Sequence, residues 1–373
     1  MACFKEWCMD NLLDAMNLAY NTTLKARARY ELAQKGPSCS LPAPCDAVRL
    51  WYSIASTWLL QSNTRFWIGI QSSDYPKGLL ELKDPPLIMF GDGQRGLLNA
   101  RGVAMVGSRN ATRTGLGNAN AFSRAFAQAG WAVVSGLAEG IDGAAHDGAL
   151  AARGATIAVL GCGPDEVYPK HHAGLKSQIV QQGGLVLSEY PPGTAPQPAF
   201  FPRRNRIIAA LADALLVVEA ALRSGSLITA RVASELGRPV AAIPGSIHSS
   251  QSKGCHAMIK KGALLVETAQ ELLDEASASL PEYKTCTPTH LLQEDDSACH
   301  ADLNCALDTD TELDEGLKLV LQHLGHDPLH ADTLAEQLDL SSENTLTALT
   351  ELELMGLALS ESGNRWVRAN RVF

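Results

Sequence analysis

Three short segments in the middle of this 373-residue chain carry residue types that bind anions. Gly107-Ser108-Arg109 offers a hydroxyl, backbone N–H donors and a guanidinium, the complement of one phosphate. Phe200-Phe201-Pro202-Arg203-Arg204-Asn205-Arg206 sets three arginines beside two aromatics. Arg223-Ser224-Gly225-Ser226-Leu227-Ile228-Thr229 is a Gly/Ser turn opening a helical stretch, the geometry of a phosphate cradle. Each segment also has a plainer reading: Gly-Ser turns commonly only turn, and aromatics commonly pack. The arginine triplet fits the plain reading least, because cations at a helix N-terminus oppose the dipole and no structural motive for them is visible in the sequence.

Patterns for bond-breaking chemistry are weaker. Glu139, Asp142 and His146 lie close enough in sequence for an acid–base or metal set, but Asp142 reads better as a helix cap with His146 on the same helix face. His171-His172 lack a carboxylate or cysteine at ligand spacing, and none of the nine cysteines forms a CxxC pair, so no metal is expected. Neither Gly161-Cys162-Gly163 nor Gly115-Leu116-Gly117 continues into a dinucleotide fingerprint, and no P-loop occurs, so no cofactor is expected.

Short apolar runs must position these segments. Val103–Val106, Trp131–Val134, Thr156–Leu160, Leu185–Leu187, Ala214–Val218, Val240–Ile243 and Ala263–Val266 read as strands buried on both faces. Ala-rich stretches at helical spacing separate them: Asn118–Gln128, Ala144–Ala152, Arg206–Leu211 and Leu227–Leu236. The alternation predicts an α/β fold with a doubly wound parallel sheet. Ligands of such sheets bind beyond the carboxyl ends of the strands, where all three anion-binding segments fall. Leu87–Phe90 reads as one further strand.

Around this core, residues 1–70 read as helical, with a breaker-rich loop at 36–44. Residues 276–310 read as an acidic linker. Residues 311–373 show three helices, Leu313–Leu324, Thr333–Leu338 and Asn344–Met355, and a closing hairpin, the pattern of a winged helix. Net charge is −9 overall, but +6 over 101–270 and −16 over 271–373. The basic middle fits an anionic ligand and the acidic end a different partner. No secretory signal is read at the N-terminus, no apolar run reaches membrane-span length, and the thiols suit a reducing cytoplasm.

Val106–Arg109, Ser135–His146, Gly154–Gly163, Tyr168-Pro169, Leu187–Gly193, Phe201–Leu211, Val217–Gly245 and the pattern from Gly254 through His256 to Gly262-Ala263 resemble, in order, the DprA/Smf family over roughly residues 75–275. That resemblance implies an extended Rossmann-like domain at 75–275, an N-terminal helical domain similar to a sterile-alpha-motif fold at 1–70, and a winged-helix domain at 311–373. It implies a non-enzymatic protein that binds single-stranded DNA, protects incoming DNA and helps load the RecA recombinase in natural transformation. It further implies a cytoplasmic homodimer joined through the Rossmann-like domain. Carried onto this sequence, the DNA-phosphate pocket would comprise Gly107, Ser108, Arg109, Arg203, Arg204, Asn205, Arg206, Ser224, Gly225 and Ser226. Phe201, Lys253 and His256 would be rim or base-stacking contacts.

Two departures stand out. The first glycine is Gly36, so the N-terminal helices contain no Gly-x-Gly hairpin of a helix-hairpin-helix unit. The expected recognition helix of the winged helix carries Glu343, Glu351 and Glu353 and no Lys or Arg, which predicts a protein contact, or packing on the basic core, rather than DNA binding there. The competing reading is a nucleotide-processing enzyme of the lysine-decarboxylase-like Rossmann group, whose PGGxGTxxE turn would correspond to Arg223–Ala230. The glutamate of that turn is missing here, and Glu219 precedes the turn instead.

Overall fold

The strand runs assemble as their pattern predicts. The computed structural model describes residues 12–20, 29, 32, 43–278, 315–324, 329–338, 340–355, 357–361 and 363–368. Much of the expected helical stretch at 1–35, residues 36–42 of the expected loop at 36–44 and residues 279–310 of the expected linker at 276–310 lie outside them, while 276–278, read as linker, end a helix that spans Ala269–Ala278. The chain forms two compact units, 1–286 and 287–373.

In the first unit, among the described residues, nine strands form one sheet: β1 (Arg65–Gly69), β2 (Ile88–Gly93), β3 (Gly102–Val106), β4 (Ala132–Ser135), β5 (Thr156–Leu160), β6 (Leu185–Ser188), β7 (Ala214–Val217), β8 (Val240–Ala242) and β9 (Leu264–Leu265). Their spatial order is β1-β2-β6-β5-β4-β3-β7-β8-β9. The seven from β6 to β9 are parallel, whereas β1 and β2 add an antiparallel ribbon beside β6. The chain winds outward from β3 to β6, returns, and continues with β7 on the other side of β3. The β3/β7 boundary is therefore the topological switch point, where a crevice opens at the strand ends. This is the expected Rossmann-like, doubly wound α/β fold.

Side chains alternate across the sheet with period two. On β3, Ala104 and Val106 join one core, and Val103 and Met105 the other. Helices cover both faces. The short α2 (Lys77–Leu80) follows α1 (Asp46–Leu60) on the N-terminal side, and then come α3 (Arg113–Gln128), α4 (Ile141–Ala151), α5 (Ala173–Gln181), α6 (Phe200–Leu211), α7 (Ser226–Glu235), α8 (Lys253–Ile259) and α9 (Ala269–Ala278). Ile207, Ile208 and Leu211 of α6 and Ala230 and Ala233 of α7 fill the first core. Ala119 and Phe126 of α3, Ile141 and Ala145 of α4 and Leu272 of α9 fill the second.

The N-terminal helices dock on the antiparallel ribbon: Leu12, Met16, Val48, Ala55 and Trp58 pack with Ile88 and Phe90 of β2. β1 falls inside the stretch read as helical, 1–70, and pairs with β2 from Arg65↔Asp92 to Gly69↔Ile88. The second unit holds α10 (Glu315–His323), α11 (Ala331–Leu338) and α12 (Ser342–Leu354), with a sheet ordered β10 (Leu329–His330), β12 (Arg365–Arg368), β11 (Ala358–Glu361). Val320, Leu334, Leu349, Leu352 and Trp366 form its core. This is a winged helix. The side chain of Glu353 accepts from Ser360 N at 3.0 Å and Oγ at 2.6 Å, so one of the helix's acids braces the hairpin. No described helix is long and apolar enough to cross a membrane.

Candidate functional site

At the switch point the loops after β3 and β7 face each other across a cleft of about 640 Å³. Fixed bonds hold its walls. Glu219, just beyond β7, accepts from Thr112 N at 3.0 Å and Thr112 Oγ1 at 2.6 Å, and the Thr112 hydroxyl in turn accepts from Gly115 N at 3.0 Å. A carboxylate and a threonine cap thus complement the N-terminal dipole of α3 and tie the two loops together. Ser226 Oγ donates to Gly107 O at 2.6 Å, which welds the start of α7 to the end of β3. Gly140 holds φ +76°, a conformation side chains rarely adopt, and brings Ile141 N within 3.2 Å of Ser108 O.

The floor is a buried arginine. Arg204, 4% exposed, donates from Nη1 to Gly136 O at 2.5 Å and to Val159 O, and from Nε to Asn205 Oδ1 at 3.1 Å. Its Nη2 has no partner among the described residues. Burial lowers the pKa of Arg204, and the Asp142 carboxylate opposes that shift. Burial raises the pKa of Asp142, and Arg204 with the Ala138 and Gly136 amides opposes it. Each thus favours the other's charged form across the floor, and Asp142 accepts from the Gly136 amide at 3.2 Å. Gly136 is required beneath it, because a Cβ would overlap the guanidinium.

What the cleft offers a ligand is positive and unspent. The Ser108 and Arg109 amides and the Gly225 amide at the start of α7 have no partners among the described residues. Ser108 Oγ accepts from Asn110 N at 3.1 Å and keeps its proton to donate. The Arg109 guanidinium is exposed, lies 5.7 Å from the centre of the Phe201 ring, and meets no described carboxylate at ion-pair distance. Asn205 and Arg223 complete the lining.

The structure brings Gly107, Ser108, Arg109, Phe201, Arg204, Asn205, Ser224, Gly225 and Ser226 to this cleft. It does not bring Arg203, Arg206, Lys253 or His256 there. At about 100° per residue, Phe201, Arg204, Asn205 and Ile208 share one face of α6, and Arg203 and Arg206 lie on the opposite face. Arg206 Nη2 donates to Glu189 Oε1 at 2.5 Å, and Arg203 reaches the same oxygen at 3.3 Å and Asp84 at 3.5 Å. The arginine triplet thus has the structural motive that its sequence hid: one carbonyl anchor and two ion-pair partners for Glu189. Lys253 Nζ donates to Ile247 O, and His256 Nε2 lies 2.9 Å from Gly245 O, both on the loop after β8. Ser226 holds the bend together, its proton already given to Gly107.

Sequence reasoning passed over Tyr168, which lines the cleft with its ring 5.2 Å from that of Phe201. Its signal was an aromatic in the loop after the third parallel strand of the core. Of the suggested acid–base set, His146 is fully buried, with Nδ1 2.7 Å from Thr156 Oγ1, and Glu139 lies 3.7 Å from His171. No described cluster of three or more His, Cys, Asp or Glu suits a metal ion.

Comparison with known proteins agrees with this architecture. Residues 66–277 match the family described as DNA recombination-mediator protein A, and residues 306–364 the one described as DprA winged helix domain. Protein Smf of Escherichia coli strain K12 is 38% identical over 320 residues, which span 84% of this chain and 80% of that protein. The solved structure of DNA processing protein A from Streptococcus pneumoniae shares 38% identity at a TM-score of 0.59, covering 70% of this chain and 95% of that one. A structure describing the single-stranded DNA binding mode of DNA processing protein A from Helicobacter pylori shares 30% identity at a TM-score of 0.51, covering 57% and 96%.

Proposed function

Because the chain belongs to the DNA recombination-mediator protein A family, we propose that its switch-point cleft grips the sugar–phosphate backbone of single-stranded DNA. The observation that carries this reading is the convergence of unspent donors on one cleft: the Ser108, Arg109 and Gly225 amides, the Arg109 guanidinium and Arg204 Nη2. Such donors fit phosphate oxygens and carry no base preference of their own. The Helicobacter pylori relative is described by its single-stranded DNA binding mode, which supports the choice of ligand.

The wider role follows the family. We place the protein in the cytoplasm, where it protects incoming DNA and helps load RecA during natural transformation. The activity is binding rather than catalysis. Glu219, the carboxylate nearest the enzyme-like turn, is spent on Thr112, and Asp142 on the Gly136 and Ala138 amides. A homodimer through the Rossmann-like domain, 75–275, would use the edge that β9 forms among the described strands, where Leu264 and Leu265 both stand exposed. Two clefts on one strand would then add avidity. We keep DNA off the winged helix and assign it a protein partner, since its exposed Glu351 would repel phosphates.

Gel-shift titration of single- and double-stranded oligonucleotides at several salt concentrations tests the core of this reading. Preference for the single strand, weakening as salt rises, is the expected result. Equal affinity for both forms, or binding indifferent to salt, overturns it.

A further inference from the structure

We propose that His172 is a positioning residue for the cleft: it holds the loop after β4 in the bend that sets the binding groups, without touching the strand itself. The inference rests on the reading of the cleft as a single-strand site and gives a role to the His171-His172 pair, which that reading leaves unused.

The loop Gly136–Gly140 meets the cleft at both of its ends. Gly136 O accepts from Arg204 on the floor, and the Gly136 and Ala138 amides donate to Asp142 at 3.2 and 3.4 Å. At the other end Gly140 packs on the Ser108 and Arg109 carbonyls, and Ile141 N donates to Ser108 O at 3.2 Å. Ser108 O and Arg109 N–H belong to one peptide plane, so fixing that carbonyl aims the amide offered to a phosphate.

Between the two ends Leu137 stands at φ +56°, the left-handed region that a residue with a Cβ disfavours. Such a conformation persists only where its surroundings impose it. Two contacts do so. The leucine side chain is fully buried with Leu150, Leu160 and Leu175. Its carbonyl has left the sheet ladder, because β4 ends at Ser135, and His172 Nδ1 lies 3.0 Å from it. A carbonyl only accepts, so Nδ1 carries the proton and donates.

His172 is itself held for this task. It closes the turn Lys170–His172 ahead of α5, its N–H donating to Pro169 O at 3.1 Å. Its ring lies against the first turn of α4 at Gly143, where a Cβ would fall 2.9 Å from Cε1. His171 packs edge-on against it with ring centres 4.5 Å apart, and reaches Glu139 of the same loop at 3.7 Å. His172 does not line the cleft, so it braces the loop from behind.

Two measurements on the full chain, both well below its melting temperature, test the assignment. Hydrogen exchange by mass spectrometry reads the loop, and fluorescence anisotropy with an oligothymidylate reads the grip. His172→Ala should speed exchange of the amides from Leu137 to Ile141 roughly tenfold, the worth of one hydrogen bond, with β3 and β5 unchanged. Single-strand affinity should fall roughly 3- to 10-fold, as the share of molecules with the loop in place falls. The salt slope should stay, since Arg109 and Arg223 keep their charges. His172→Phe keeps a ring on Gly143 but has no donor; it should behave as the alanine variant and replaces it if that variant melts lower. His172→Asn, whose Nδ2 branches from the same carbon as Nδ1, should bring both readouts to within about twofold of wild type. Three results overturn the assignment and leave the backbone grip standing: exchange that rises equally in loop and sheet, wild-type affinity in the alanine and phenylalanine variants, or an asparagine variant no better than alanine. A wild type that binds no strand overturns the grip, and the positioning role with it.

Discussion

Replacing Arg204 by methionine keeps most of the side-chain volume and removes the fork. Two buried carbonyls, Gly136 O and Val159 O, lose their donor, and the buried Asp142 loses a cation that opposes the burial-driven rise of its pKa. Leaving a buried acceptor without its donor costs about 1–3 kcal/mol, so two of them cost about 3–5 kcal/mol. In a unit of this size each kcal/mol lowers the melting temperature by about 2 °C, so the variant should melt roughly 6–10 °C below wild type in calorimetry at neutral pH. Arg204→Lys, which keeps a charge but cannot span two carbonyls, should fall between. Single-strand affinity should also drop, because Nη2 leaves the floor with the rest. A methionine variant that melts within 2 °C of wild type while losing its DNA affinity would refute the reasoning: Arg204 would then be a ligand contact without a scaffolding role.

The other two positions of the triplet should part company with Arg109. Arg109→Ala should leave the melting temperature unchanged and make the salt slope of single-strand binding shallower by about 0.7, the share of one phosphate contact. Arg206→Ala should leave that slope alone and cost about 3 kcal/mol in urea unfolding, since Glu189, with a side chain only 10% exposed, is left to Arg203; the reverse assignment of the two effects would show that α6 is turned the other way. Gly140→Ala forces a side chain into φ +76° against the Ser108 and Arg109 carbonyls, and should cost at least about 1–3 kcal/mol and weaken binding, with unchanged anisotropy titrations counting against a role for this turn in shaping the cleft. His146 supplies a pH limb. Burial, then the charges of His172 and Arg204, push its pKa from the usual 6.5 down to about 3, so the unfolded chain takes up a proton across that window and the native state does not. Stability is therefore full above about pH 6.5 and is lost as pH falls toward 3, at up to about 1.4 kcal/mol per unit. Urea unfolding of His146→Gln should show a flatter limb between pH 4 and 6.5, and parallel limbs would exclude His146 as its source.

Most of the sheet was legible because parallel strands covered on both faces read as continuous apolar runs. The ribbon strand β1 was not: Arg65 to Gly69 is a half-buried edge whose partner lies some twenty residues on, past two proline-marked turns, so neither periodicity nor a hairpin signal announces it. α5 was missed because Ala173–Gln181 buries only Leu175 and Ile179. The consequential error was the start of α6. The apolar pattern places it near Arg206, but it begins at Phe200, with Pro202 tolerated because it falls in the first turn. Taken as a cluster at the helix start, the arginines face one ligand; inside the helix, successive residues fan around the axis and only Arg204 and Asn205 keep company with Phe201. Pairing with Glu189 belongs to the tertiary fold, because that residue follows β6 and no local pattern links it to the triplet. The cleft's own loops were legible for the opposite reason: their small residues sit at strand ends, whose position the strand runs already set.

The buried charges and the offered charges in this cleft do different work, and that division bounds the affinity. Asp142 and Glu219 are neutralised or bonded within the fold, and they fix loops without attracting DNA. Among the residues described above, only Arg109 and Arg223 present full positive charge to a strand, since the buried Arg204 offers one Nη2 edge beside the Asp142 carboxylate. Two phosphates neutralised per cleft correspond to a salt slope of about −1.4 for single strands, too shallow for tight binding by one site at physiological salt. Tight binding then requires two clefts on one strand, and the slope should double to about −2.8 once the oligonucleotide is long enough to reach both. A length series read by anisotropy separates the cases. A slope that stays near −1.4 at every length, with affinity rising only in proportion to the number of sites, would mean that the clefts act singly and that β9 does not join copies on one strand.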